Sequence, residues 1–298
     1  MKNLAPLSKI SLFGREIYIL RDDLLGDIYD TNDPRRELNG NKARKLAFLQ
    51  NADLGKFDEI ISHGSNQSNA MYALSVFAKI HRLKFRYVVS HLGQNLRTKP
   101  SGNLKSALEN GMELKINENR REFALSLRTP KSLFIEEGVA MNEAQMGFKI
   151  QADEISAHAK NLGLKFDIFL PSGTGMSAAS LAKFSEFMVF TCPCVGDSDY
   201  LKSQILALNY GALTNLKILN PPQKFHFAKP NLKLYEMWQK LNQTGINFDM
   251  IYDPVGFLAL REHLAQFHNP LLYIHQGGIK ANTTQLARYK YKFRDKIV

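Results

Sequence analysis

The 298-residue sequence predicts an α/β fold with two groups of parallel strands, and three observations predict it. Short runs of apolar, β-branched or aromatic residues alternate with longer stretches whose apolar residues recur at helical spacing. The runs fall into two groups, one between about Lys45 and Phe148 and one beyond it. Several runs end in small polar residues or glycine and pass straight into a helix start, the arrangement at which parallel α/β proteins bind ligands. The expected organisation is a larger domain of residues 1–45 and 149–298 with a smaller α/β domain, 46–148, inserted into it, each a parallel sheet flanked by helices, and a cleft between them.

Near the start of the chain, SLFGREIYILRDDL, residues 11–24, reads as a hairpin or extended arm. ELNGNKARKLAFL, residues 37–49, then reads as an amphipathic helix. Exposed helix starts favour acids because the macrodipole is positive there, yet this one collects Lys42, Arg44 and Lys45. Residues three apart share a face, so Lys42 and Lys45 point together and Arg44 points elsewhere. Two converging ammonium groups repel, which lowers the cost of losing a proton and can turn a lysine into a nucleophile. One of them could instead neutralise a phosphate, and a solvated basic helix is the plainer alternative.

The first strand group is DEIISHG, FRYVVS, MELKIN and SLFIEEG, with the helix SNAMYALSVFAKIHRL between its first two members. ISHGSNQSNAMYAL crowds Ser62, Ser65, Asn66, Gln67, Ser68 and Asn69 beside a helix start, more donors and acceptors than one N-cap needs. Either a polar ligand or a capping cluster accounts for them. The second group is FDIFLPSG, FMVFTCP, LKILN, FDMIYDP and PLLYIHQGG, with helices MSAASLAKFSEF and NLKLYEMWQKLNQ.

Within that group, FDIFLPSGTGMSAASLAKF runs from an apolar strand through Ser172, Gly173, Thr174 and Gly175 into a helix at about Met176. Bare amides at such a turn, joined to the positive end of a helix, form an anion cradle whose natural guest is phosphate. Two other chemistries fit the same turn. Gly173, Gly175 and Ala178 satisfy the dinucleotide pattern G-x-G-x-x-A, with Asp197 or Asp199 near the distance of a ribose-binding acid. Ser177, Asp253 and His275 come in the chain order of the α/β serine hydrolases. The dinucleotide fingerprint arrives after half the chain, however, and the hydrolase elbow lacks its second glycine.

Composition narrows the field. With 44% apolar and 22% charged residues the chain is globular with an ample core. The net charge of +11, from 39 Lys+Arg against 28 Asp+Glu, is spread along the sequence. Its densest patch, RYKYKFRDK at 288–296, reads as a solvated terminal element, with nucleic-acid binding the weaker alternative. Cys192 and Cys194 stand too close for an ordinary disulfide and lack the second pair a zinc site needs, so they read as reduced, buried strand-end residues. His263 and His268 are five apart and point in different directions from a helix, so no metal site is expected. The opening residues break their apolar run with charges, so neither a signal peptide nor a spanning helix is expected and a cytoplasmic protein is the simplest reading.

A lysine for an aldehyde, a cradle for a phosphate and a polar partner for a ring hydroxyl are the three needs of pyridoxal phosphate. At this point the sequence resembles the fold type II pyridoxal-phosphate enzymes, in particular the group of 1-aminocyclopropane-1-carboxylate deaminase and D-cysteine desulfhydrase. ILRDDL, GNKARKL, GSNQSN, FIEEG, DIFLPSGTGMSAASL, YDPV and IHQGG occur in that family's order and at about its spacing. The resemblance implies a pyridoxal 5'-phosphate Schiff base on Lys42, with Asn41, Lys45 and the stretch Gly173, Thr174, Gly175, Met176 and Ser177 on the phosphate. It also implies Asn69 on the ring hydroxyl and Ser68 beside the reacting carbon. Its departures are Gly256 and Phe257, where an active-site tyrosine and the pyridine-nitrogen partner are expected, Phe227 for a second tyrosine, and Gln276 for a threonine, with Gln276 a possible substitute partner for the ring.

The implied activity is α,β-elimination from, or deamination of, a small amino acid to a 2-oxo acid and ammonia, by a lyase or deaminase working as a homodimer without nucleic-acid or membrane partners. A non-catalytic pyridoxal-phosphate carrier is the main alternative, since the departures fall on catalytic positions and spare the cradle. A dinucleotide oxidoreductase and a serine hydrolase explain less of the chain.

Overall fold

The computed structural model describes residues 4–50, 52–294 and 296–297, so the first three residues of the opening stretch and Asp295 of the basic run lie outside the described residues. The chain begins with strands β1 (Leu7–Leu12) and β2 (Arg15–Arg21), followed by α1 (Gly40–Leu46), β3 (Glu59–His63), α2 (Asn69–His81) and β4 (Lys84–Val89). Next come α3 (Gln94–Thr98), α4 (Gly102–Glu109), β5 (Met112–Ile116), α5 (Arg120–Ser126), β6 (Ser132–Ile135) and α6 (Gln145–Leu162). The remainder is β7 (Asp167–Ser172), α7 (Met176–Phe184), β8 (Met188–Pro193), α8 (Ser198–Leu206), β9 (Leu216–Ile218), α9 (Leu232–Asn242), α10 (Asp253–Glu262), β10 (Leu271–His275) and α11 (Asn282–Lys292).

Two compact units result, one of residues 1–24 and 148–298 and the other Leu25–Gly147. The sequence reading gave residues 1–45 to the larger domain. Residues 25–45 instead sit in the smaller unit, where α1 is held by a close approach: a Cβ on Gly147 would lie 1.7 Å from the Arg44 carbonyl oxygen, so only glycine fits there.

The larger unit holds a six-stranded sheet in the order β1-β2-β10-β7-β8-β9. The opening stretch is indeed a hairpin: β1 pairs antiparallel with β2 around Phe13-Gly14, both at positive φ as a tight hairpin turn requires. All other pairs are parallel. β7 and β10 are buried throughout, as strands covered on both faces must be, which is why they read as continuous apolar runs. Their core includes Ile17, Ile19, Phe169, Phe190, Phe248, Phe257 and Tyr273.

FDMIYDP is not a strand. The Asp249 carboxylate accepts the N–H groups of Ile251 and Tyr252, which folds residues 249–252 into a turn ahead of α10. Pro254 then starts the helix where its missing N–H costs nothing. The first part of the basic C-terminal run, through Lys292, belongs to α11, which buries Tyr289 against Tyr235 and leaves Tyr291 74% exposed.

The smaller unit holds a parallel four-stranded sheet, β5-β4-β3-β6. Ile61, Val88 and Ala124 form a core cluster there, packed by Phe123, Leu127 and Phe134. Each unit has one topological switch point, where successive connections leave a strand on opposite sides. In the smaller it is the end of β3, between β4 and β6; in the larger it is the end of β7, between β8 and β10. Those two ends carry the polar run at 64–69 and the glycine turn at 173–175. No described helix is long and apolar enough to cross a membrane.

Candidate active site

In the smaller unit the candidate residues stand on α1 and at the end of β3. Lys42 and Lys45 do share a face, and both ammonium groups donate to one carbonyl oxygen, that of Gly138, at 3.4 and 3.0 Å. Gly138 lies in a short 3-10 turn, Glu137–Val139, that follows β6. The turn is clamped from α5: Arg120 bonds Glu137 at 2.6 Å, and Arg121 grips Glu136 through both a 2.6 Å and a 3.1 Å contact. The buried imidazole of His63, last residue of β3, reaches the same Glu136 carboxylate at 3.1 Å.

This setting has an electrostatic consequence. Burial brings the Lys42 ammonium down to about 8, and burial together with the Lys42 charge holds Lys45 well below the usual lysine value. Lys45 is the more enclosed, 4% exposed, whereas Lys42 is half-buried. A nucleophile must be both uncharged and open to its partner, and of the two Lys42 is the less enclosed. Asn41 precedes it in the first turn of α1 and is half-buried.

Ser68 is the N-cap of α2, its hydroxyl accepting the N–H groups of Ala70 and Met71 at 3.1 and 3.4 Å. The Asn69 side-chain oxygen accepts from Asn103 at 2.7 Å. Asn103 is itself fully buried and also donates to the Gln67 carbonyl, so the Asn69 amide is fixed in orientation. Capping thus accounts for Ser68 and a buried amide network for Asn69, yet both stand at the switch point of their sheet.

In the larger unit the end of β7 leads through Gly173 and Thr174 to Gly175, the N-cap of α7 at φ +77°. A side chain there would be strained by φ and would meet Ile205 at 2.5 Å. The N-cap, Gly175, brings no side chain of its own to the first turn of α7, whose positive end favours an anion. Met176 and Ser177 are buried in the first turn and Thr174 is exposed. Gln276 donates to the Pro171 carbonyl at 2.7 Å, which ties it to the same strand end.

The positions at which the sequence departs from the family it resembles have structural explanations. A Cβ on Gly256 would lie 3.0 Å from the Tyr273 hydroxyl and 3.2 Å from Pro171, so position 256 faces the sheet and has no room for a tyrosine. Phe257 is fully buried, stacked on Tyr273 at 4.1 Å, and its role is core packing. Phe227 is 47% exposed and meets Tyr252 edge to face at 5.5 Å. Tyr252 brings its hydroxyl to 3.6 Å from the place of a Gly173 Cβ.

The residues named for the rival chemistries have partners of their own. His275 donates from Nε2 to the Asn247 carbonyl and accepts the Gly277 N–H at Nδ1, while Asp253 is bonded by the Tyr273 hydroxyl and the Asp249 N–H. No Ser177-His275-Asp253 relay is formed from these partners. Asp197 is the N-cap of α8, bonded to the Tyr200 N–H. Both cysteines are free and buried, and no metal-binding cluster of His, Cys, Asp or Glu occurs among the described residues. A hollow of about 580 Å³ lined by Lys202, Ile205, Leu206, Tyr210 and Ile218 includes no candidate residue.

No family model matches the sequence, and no curated protein matches it either. Solved structures do. An ACC deaminase homologue superposes with a TM-score of 0.79 at 20% identity, over 96% of this chain and 94% of that one. A threonine deaminase from T.th. gives 0.66 at 15% identity, over 92% of each chain. A hydrogen sulfide-producing enzyme from Fusobacterium nucleatum gives 0.61 at 15% identity, over 93% of this chain and 96% of that one. At such identities the likeness is one of fold, and the fold is the fold type II arrangement of pyridoxal-phosphate enzymes that the sequence resemblance implied.

Proposed function

We propose that this chain, built on the fold type II architecture, is a pyridoxal-phosphate-dependent enzyme that converts a small amino acid to a 2-oxo acid and ammonia by α,β-elimination or deamination. The observation that carries the reading is Lys42: a half-buried residue whose amine is brought down to about 8 by burial and shares one acceptor with a second lysine. The residues present suit the cofactor on two further counts, a glycine-capped helix start and a fixed amide at Asn69. The fold shared with deaminases and a hydrogen sulfide-producing enzyme supports the same class.

When bound, pyridoxal phosphate supplies an aldehyde and an electron-accepting ring. Lys42 would hold the aldehyde and, once released, carry a proton to and from the substrate's α-carbon. Lys45, Asn41 and the backbone amides from Gly173 to Ser177 would hold the phosphate, Asn69 would meet the ring hydroxyl, and Ser68 would orient the substrate carboxylate. Phe257 offers the ring nitrogen no bond, which favours β-elimination, where a leaving group shares the electron demand, over opening a cyclopropane ring. We take the working form to be a homodimer.

Borohydride reduction of the protein loaded with pyridoxal phosphate, followed by peptide mapping, is expected to find the label on Lys42 and none in Lys42→Ala. Release of pyruvate or ammonia from a panel of D- and L-amino acids, D-cysteine and β-chloroalanine included, is expected from the wild type and not from that variant. A labelled but inactive wild type would convert the reading to a cofactor carrier, and a protein that takes no label on Lys42 would end it.

A further inference from the structure

The hydroxyl that the family's tyrosines would bring is absent at 227 and has no room at 256, but one is present a single ring away from Phe227. Tyr252 stands edge to face with Phe227, centroids 5.5 Å apart, and its hydroxyl lies over Gly173, 3.6 Å from where a Cβ would be, with the ring carbon Cε1 at 3.7 Å. Gly173 opens the turn that leads to Gly175, the N-cap of α7. A larger residue at 173 would close the gap between hydroxyl and turn. The Tyr252 backbone is fully engaged: its N–H bonds Asp249, and its carbonyl accepts the Gly256 N–H and the Cys194 thiol. Tyr252 is half-buried, and no described residue hydrogen-bonds its hydroxyl.

We propose that Tyr252 is a ligand-binding residue of this turn, its hydroxyl donating a hydrogen bond to the phosphate group of a ligand seated on residues 173–177. The assignment rests on the reading of the turn as a phosphate cradle given above. Three things favour a donor role. Burial pushes the phenol well above its ordinary value, so the proton is retained at any working pH. The flanking Asp249 and Asp253 carboxylates are already occupied by N–H and hydroxyl donors of their own. The turn residue beneath it is the one that brings no side chain of its own.

The test is isothermal titration of the full-length protein with inorganic phosphate, pyridoxal phosphate and pyridoxal. Tyr252→Phe is expected to weaken inorganic phosphate and pyridoxal phosphate alike, by on the order of tenfold for one lost bond to a charged group, and to leave pyridoxal unchanged. Its melting temperature without ligand is expected to match the wild type, because the hydroxyl has no partner to lose. Tyr291→Phe, at an exposed position on α11, is the control and is expected to bind as the wild type does. Unchanged phosphate affinity in Tyr252→Phe, or a wild type that binds no phosphate, overturns the assignment. A wild type that binds phosphate through Tyr252 but takes no borohydride-fixed label on Lys42 upholds it while removing the proposed enzymatic function.

Discussion

Lys42 and Lys45 donate to the same acceptor, and the consequence can be read as a titration. With its ammonium at about 8, Lys42 is mostly charged at pH 6.5 and mostly free amine at pH 9. The rate at which the protein forms an adduct with pyridoxal phosphate is therefore expected to climb through pH 8 and level off, as followed by absorbance. A rate flat from pH 6 to 9 would contradict the burial argument. Asp249 and Asp253 show the opposite case, two buried carboxyls whose burial raises both above the ordinary carboxylate value of 3.8. A raised acid binds more protons folded than unfolded, so its stabilising effect is complete at acid pH and fades as pH rises toward and past neutrality. Asp249→Asn keeps the acceptor for the N–H groups of Ile251 and Tyr252 but cannot ionise. Its melting temperature is expected to gain on the wild type between pH 5 and pH 8.

Helix α10 leaves no room for a tyrosine at position 256. At position 256 the helix lies against β7 and β10, with Pro171 and the Tyr273 hydroxyl at 3.0 to 3.3 Å from a hypothetical Cβ. Gly256→Ala asks those neighbours to give by a few tenths of an ångström and is expected to cost about 1 to 3 kcal/mol, the usual range for overpacking. Gly256→Tyr is expected to lower the denaturation midpoint far more and to add no turnover; a stable, more active Gly256→Tyr would show that the helix had moved. The pairing of Lys42 with Lys45 was legible in the sequence because helical spacing fixes which side chains share a face. Their acceptor was not, since Gly138 comes 96 positions later in a turn whose place is set by β6 and the Arg120 and Arg121 clamps. FDMIYDP misled for a related reason: its apolar run has strand composition, but the Asp249 side chain captures two backbone N–H groups that a sheet would need.

For the molecule as a whole, two units each bury a core of their own, and the one tryptophan, Trp238, belongs to the larger. Its fluorescence therefore reports the unit that carries the glycine turn. Phosphate that binds only the folded turn stabilises it by mass action, about 2.7 kcal/mol at a hundred times Kd. The thermal transition seen by Trp238 is expected to rise with phosphate concentration at constant ionic strength. Chloride at the same ionic strength is the comparison, since the net charge of +11 makes any anion mildly stabilising. A rise that chloride reproduces in full would leave the turn without a specific anion.

The sequence by itself determined the α/β class, the two strand groups, the lysine pair on one helical face and the glycine turn at a strand end, because each follows from spacing within a dozen or so residues. Only the tertiary structure decided that β2 completes the larger sheet beside β10, that residues 25–45 pack with the smaller unit, that position 256 faces the core, and that Tyr252 overhangs Gly173. The physical reason is common to all four: periodicity says which side of an element is apolar, but what stands opposite that side is set by packing between segments far apart in the chain.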